Sequence, residues 1–143
     1  MFEVFEHTAD LGIRVRAGSL EELFADAGRG LIAQLANLSA VEPLLEKTIT
    51  LSGESLEYLL FDWLSELLFA FEESRLLLCD FRVRIDRPAG ENSGEYHLHA
   101  ICRGEVADAA RHELDHEVKA ITYHGLLVEQ HENGWLAEVI VDI

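Results

Sequence analysis

The stretch whose residue types and spacing come closest to catalytic chemistry is His112-Glu113-Leu114-Asp115-His116. On a helix, H-E-x-x-H sets two imidazoles one turn apart for zinc, with the glutamate as general base. The pattern needs a regular helix and a third ligand. Here the helical stretch runs only from about Glu105 to Glu117 before the β-rich Val118-Lys119-Ala120-Ile121 begins. With 7 histidines and 19 glutamates in 143 positions, a chance match is unsurprising. The protease reading is rejected, and the stretch is read as a solvated surface turn. His97 and His99 lie two apart on a predicted strand and share one face, so they could act as ligands. A polar sheet face, with Arg103 and His124 as neighbours, is the preferred reading. The chain contains no G-x-S-x-G, glycine-rich phosphate loop or C-x-x-C. Nucleophilic hydrolase, nucleotide-binding and redox chemistry therefore have no motif to carry them.

Two segments hold a different kind of chemistry. His7-Thr8-Ala9-Asp10-Leu11-Gly12 interrupts a strand-like N-terminus with polar residues, and the sequence closes on Val141-Asp142-Ile143. A strand-end carboxylate beside a main-chain terminus offers several hard oxygens. If Asp10 lies near that end, the set suits Ca²⁺ or Mg²⁺, which prefer oxygen ligands. The same residues also fit a turn cap at Asp10 and a frayed strand end at Asp142.

Two helices and a run of strands must position these groups. Ser19 and Glu22 fit a capping box, and Leu20, Leu23, Phe24, Ala27, Leu31 and Leu35 follow at helical spacing. A second apolar stripe runs through Leu56, Leu59, Leu60, Trp63, Leu64, Leu67, Leu68 and Phe71, wide enough to lie on a sheet. The rest alternates with period two. Ile13 and Val15, Ile49 and Leu51, Phe81 to Ile85, Tyr96 to Cys102 and Val118 to Tyr123 read as strands. Arg87 to Gly94 is a hairpin connection, and Asn133-Gly134 is the strongest short hairpin signal. The order predicts an α+β fold, with two layers and two helices packed on one face of a largely antiparallel mixed sheet.

Composition narrows the function. The chain has 143 residues, one domain's length, with 49% hydrophobic and 27% charged residues. Its 11 Lys plus Arg against 27 Asp plus Glu give a formal net charge of -16, spread evenly over both halves. Such a field repels phosphate backbones, so direct, stable nucleic-acid binding is not expected. It favours solubility and a basic partner or a cation. Cys79 and Cys102 read as reduced, buried thiols. The start lacks a signal peptide's basic and apolar regions, and Leu56 to Phe71 is too short and too acidic for a membrane span. A cytoplasmic, single-domain protein spanning residues 1–143 is expected, with no membrane association.

Several blocks together resemble the archease family. They are His7-Thr8-Ala9-Asp10-Leu11-Gly12-Ile13, the helix start at Ser19 to Ala27, and Leu60-x-x-Trp63-Leu64-x-Glu66-Leu67-Leu68. Gly104-Glu105, Glu117 to His124 and the terminal Asp142-Ile143 complete the set. The resemblance spans essentially the whole chain, in order. It implies a protein cofactor, not a free-standing enzyme, that assists the RtcB-type RNA ligase of tRNA splicing and RNA repair. Such cofactors promote guanylation of the ligase's histidine by GTP and support multiple turnover. The resemblance further implies a divalent metal, calcium or magnesium, at Asp10, Asp142 and Ile143, and a role in activation for Lys119. A general acidic chaperone or scaffold is the alternative, needing neither metal nor Lys119.

Overall fold

In the computed structural model, residues 1–7, 10–88, 94–114 and 117–143 are described. Thr8, Ala9, Asp115, His116 and the centre of the Arg87–Gly94 connection lie outside that set. The chain opens with two strands, β1 (Phe2–His7) and β2 (Asp10–Ala17), followed by helix α1 (Leu20–Leu35) and a short 3₁₀ turn at Leu38–Ala40. Strand β3 (Leu45–Gly53) leads to helix α2 (Leu56–Ser74). Then come β4 (Leu76–Asp86), β5 (Tyr96–Val106), β6 (Ala120–Ile121), β7 (Leu127–His131) and β8 (Gly134–Asp142).

Both helices begin as their sequences dictate. Glu22 N–H donates to Ser19 Oγ at 3.1 Å, and Tyr58 N–H donates to Ser55 Oγ at 3.1 Å, each satisfying an amide that the first turn leaves without a partner. The predicted apolar stripes face inward. Leu20, Leu23, Phe24, Leu31, Leu59, Leu60, Trp63, Leu64 and Leu67 are all fully buried. Trp63 combines this burial with a polar anchor, its indole N–H donating to Phe24 O at 2.8 Å. It thereby ties the centre of α2 to α1.

The α+β class holds, with the strands divided between two sheets whose recorded pairings are all antiparallel. One runs β1-β2-β8-β6 with β7 also on β8; the other runs β3-β5-β4. Helix α1 packs on β2 and β4, one strand from each sheet, while α2 packs on β3, β4 and β6. Both sheets therefore bury one face against the same helices and share a single apolar cluster. The last hairpin turns at Glu132-Asn133, one residue earlier than the Asn-Gly signal suggests, with His131 opposite Gly134. Gly134 has φ 140°, and a Cβ there would stand 2.3 Å from Ala17 O, so only glycine fits.

Two sequence expectations are corrected. No helix forms over Glu105 to Leu114, because β5 continues through Val106 and a turn that starts at Asp108 follows. Glu105 is buried rather than on a solvated helix face, and its carboxylate draws Arg111 and His112 across it. That geometry is incompatible with a straight helix. The strand predicted over Val118 to Tyr123 shrinks to Ala120–Ile121, because the chain turns at His124-Gly125, where Gly125 has φ 64°.

Candidate functional site

Antiparallel registry between β2 and β8 sets Asp10 directly opposite Asp142. The same row extends to His7 on β1 and to Ala120 on β6. Side chains directly opposite on neighbouring strands share a face, with Cβ atoms about 4.5–5.5 Å apart. Leu11, Ile13 and Val141 take the inward positions and are buried. Asp10 and Asp142 consequently fall on the outer face, both half-buried. Four residues along, that face carries Arg14 opposite Glu138, with Arg14 Nε donating to Glu138 Oε1 at 2.7 Å. That hydrogen bond raises the Arg14 guanidinium above its ordinary value. A base thus faces an acid at Arg14, and an acid faces an acid at Asp10. Ile143 follows Asp142 directly and is half-buried.

Lys119 reaches this end of the sheet through its main chain, its N–H donating to Asp142 O at 2.8 Å. Its side chain is exposed and borders a hollow of about 340 Å³ shared with Leu35, Phe71, Glu72, Arg75 and Glu117. Leu35 and Phe71 belong to the last turns of α1 and α2, and neither helix has a basic residue in its last turn. An ammonium there also complements two helix C-termini, whose dipoles favour positive charge. Among the described residues, no group of three or more His, Cys, Asp or Glu side chains stands where it could hold a metal. What the sheet end offers is two carboxylates in register and nearby main-chain oxygens, an all-oxygen, anionic donor set.

The histidine motifs resolve differently. His112 is 1% exposed, not solvated. Asp108 N–H donates to His112 Nδ1 at 2.8 Å, which leaves the proton on Nε2. Nε2 approaches Glu105 Oε1 to 2.5 Å, without hydrogen-bond alignment. Nδ1 is taken by the Asp108 amide, Nε2 faces the buried Glu105 carboxylate, and Glu113 lies apart, beside Ala33, Ala36 and Asn37. His112 is a packing residue, and His116 lies outside the described residues. His97 and His99 stand on the outer face of the β3-β5-β4 sheet beside Thr50, Ser52, Arg84 and Asp86. That is the polar sheet face expected, with Arg84 rather than Arg103 as the immediate basic neighbour. Both cysteines are free; Cys102 is buried and Cys79 half-buried. Burial pushes the Cys102 thiol up to about 12, and burial followed by the nearby Asp80 raises Cys79 as well.

Sequence reasoning passed over one cluster. Tyr58 and Phe61 on α2 meet Tyr123 from the turn after β6, with Phe61 stacked on Tyr123 at 3.9 Å between ring centroids. The signal was present in the one-turn spacing of Tyr58 and Asp62 on the helix's outward side. Tyr123, by contrast, comes from distant sequence.

Fold and site together define a class: a small α+β domain whose two helices serve two antiparallel sheets and whose first and last aspartates stand opposite each other on paired strands. The chain belongs to the archease family, its residues 2–143 matching the Archease protein family (MTH1598/TM1083). Protein archease of Pyrococcus furiosus is 38% identical over 143 residues, covering 99% of this chain and 98% of that protein. Its namesake in Methanopyrus kandleri is likewise 38% identical, over 99% of each chain. The solution structure of protein 1598 of Methanobacterium thermoautotrophicum superposes with a TM-score of 0.83 at 32% identity, covering 99% of this chain and 98% of that one. A crystal structure from Thermotoga maritima, described as an archease and possible chaperone, shares the fold at a TM-score of 0.61 and 22% identity. That match covers 100% of this chain and 98% of the other.

Proposed function

We propose that this chain is an accessory protein of an RtcB-type RNA ligase, promoting the ligase's guanylation by GTP and its multiple turnover. The observation that carries the reading is the row in which Asp10 faces Asp142 while Lys119 N–H donates to the Asp142 carbonyl. Three residues that the family resemblance singles out come together at one end of the sheet, Lys119 through its main chain. Asp10, Asp142 and a main-chain oxygen of Ile143 would hold a hard divalent cation, calcium or magnesium. The donor chemistry fits, since all the oxygens are hard and two are anionic. Such a cation supplies charge neutralisation beside phosphates. The protein's own part is to present the carboxylates rigidly, because both belong to paired strands, and to offer Lys119 at the same end of the sheet as a mobile point charge.

The net charge of -16 supports docking at the rim of a basic cleft without competition for RNA. The same charge supports the second reading, a general acidic chaperone, which would need neither Asp142 nor Lys119. A turnover assay separates them. Sub-stoichiometric ligase joins 3′-phosphate or 2′,3′-cyclic-phosphate RNA with GTP, with or without this protein. The expected result is added turnover with the wild type, and loss of most of it with Lys119→Ala or Asp142→Asn. Stimulation by both variants equal to the wild type's supports the chaperone, and no stimulation by the wild type defeats the activator reading.

A further inference from the structure

Tyr58 and Tyr123 are 59% and 57% exposed, an unusual state for two large rings that touch each other. Their planes meet at 80° with centroids 5.5 Å apart, forming the two walls of a corner. Phe61 stacks behind Tyr123, nearly parallel at 11°, and holds that wall in place. Asp62, one helical turn beyond Tyr58 on the same side of α2, completes a hollow of about 410 Å³ lined, among the described residues, by Tyr58, Asp62 and Tyr123. The Asp62 side chain is exposed.

We infer that Tyr58, Asp62 and Tyr123 form a docking pocket for an arginine side chain of a partner protein. A guanidinium is flat enough to lie on a tyrosine face, where the ring quadrupole attracts a cation. Its forked N–H groups match a carboxylate in a way that a lysine ammonium does not. Aromatic rings and arginine are also the residue types that dominate binding hot spots. The net charge of -16 selects a basic partner and disfavours a second copy of this chain, which would bring like charge to the contact. The pocket is an open corner built on Tyr58, Asp62 and Tyr123. It suits a group protruding from another surface better than a free small molecule, which needs enclosure. Nothing in this inference depends on the metal or on a ligase, so it stands or falls separately from the proposed function.

The test is an aromatic ¹H–¹³C NMR titration of the full chain with N-acetyl-arginine amide. Its citrulline counterpart, equal in shape but uncharged, and N-acetyl-lysine amide serve as comparisons. The ring signals of Tyr58 and Tyr123 are expected to move saturably with the arginine compound and about tenfold less at equal concentration with the other two. Asp62→Asn should weaken the arginine effect by about tenfold while leaving the Trp63 indole signal of the folded core in place. Equal response to arginine and citrulline compounds, full binding by Asp62→Asn, or no ring response overturns the proposal. Concentration-dependent broadening of the same rings without any additive also overturns it, since a second copy would then cover the pocket.

Discussion

Two like charges directly opposite on paired strands work against the pairing, yet β2 and β8 keep Asp10 and Asp142 in register. Replacing Asp142 by Asn should therefore stabilise the metal-free protein slightly, by up to about 0.5 kcal/mol. It should at the same time remove any gain in melting temperature from calcium. Melts of wild type and Asp142→Asn in calcium and in chelator check both signs, and an equal calcium shift in the two would remove Asp142 from the proposed site. Cys102 gives a second expectation at this scale. Burial raises its thiol from 9.0 to about 12, so the folded state holds a proton that the unfolded chain releases. Its contribution is complete below pH 9 and is lost progressively as pH rises from 9 towards 12, at most about 1.4 kcal/mol per unit. Urea melts between about pH 8 and 10.5 should show wild type losing stability with a steeper slope than Cys102→Ala, which starts lower because of its cavity.

The elements are positioned by a few contacts that admit no substitute. At the bulge between Leu78 and Asp80, β4 presses its backbone against β5, so that a Cβ on Gly104 would stand 1.8 Å from Leu77 O. Backbone cannot move aside as a flexible side chain can. Gly104→Ala should cost about 3 kcal/mol or more, whereas Gly18→Ala, whose Cβ would meet Glu22 Oε2 at an ordinary 3.9 Å, should stay within about 0.5 kcal/mol. Thermal or denaturant melts of the two variants make the comparison. The same bulge aims Glu105 inward to Arg111 and His112, which draws the following segment over the end of α1, where Leu114 bridges to Ala36. Lys119 emerges beyond that bridge, beside Asp142. A change at Gly104 would therefore disturb that end of the sheet without touching any of its residues.

For the whole molecule the dominant quantity is charge. A formal -16 on 143 residues makes the folded state repel itself. Salt shortens the range of that repulsion, from a Debye length of about 30 Å at 0.01 M to about 10 Å at 0.1 M. The melting temperature should rise with sodium chloride over this range, by about 2–3 °C if screening is worth about 0.5–1 kcal/mol. Scanning calorimetry checks it; a flat or falling trend would mean that attractive pairs such as Arg14–Glu138 outweigh the net charge. No helix of the described residues is long and apolar enough to cross a membrane.

Local patterns were legible wherever one segment's chemistry settles its own structure. The two capped helices, the alternation along β2, β4 and β5, the last hairpin and the α+β class follow from periodicity and turn residues, because burial of one face imposes those spacings on each segment alone. Asp10 and Asp142 could be singled out as residues for the same reason, since a polar break and a strand-end acid are local features. Their meeting is a property of strand registry between β2 and β8, which no local pattern contains. His112 misled because H-E-x-x-H is read along the chain, whereas its ring is committed to Glu105 and Asp108 by the tertiary turn. The division of the strands into two sheets and the corner made by Tyr58 and Tyr123 likewise depend on contacts between distant segments. Sequence alone determined the two helices, most of the strands and the sign of the molecule's charge. Tertiary structure decided which side chains meet, because pairing and packing between elements are set by the fit of the whole core.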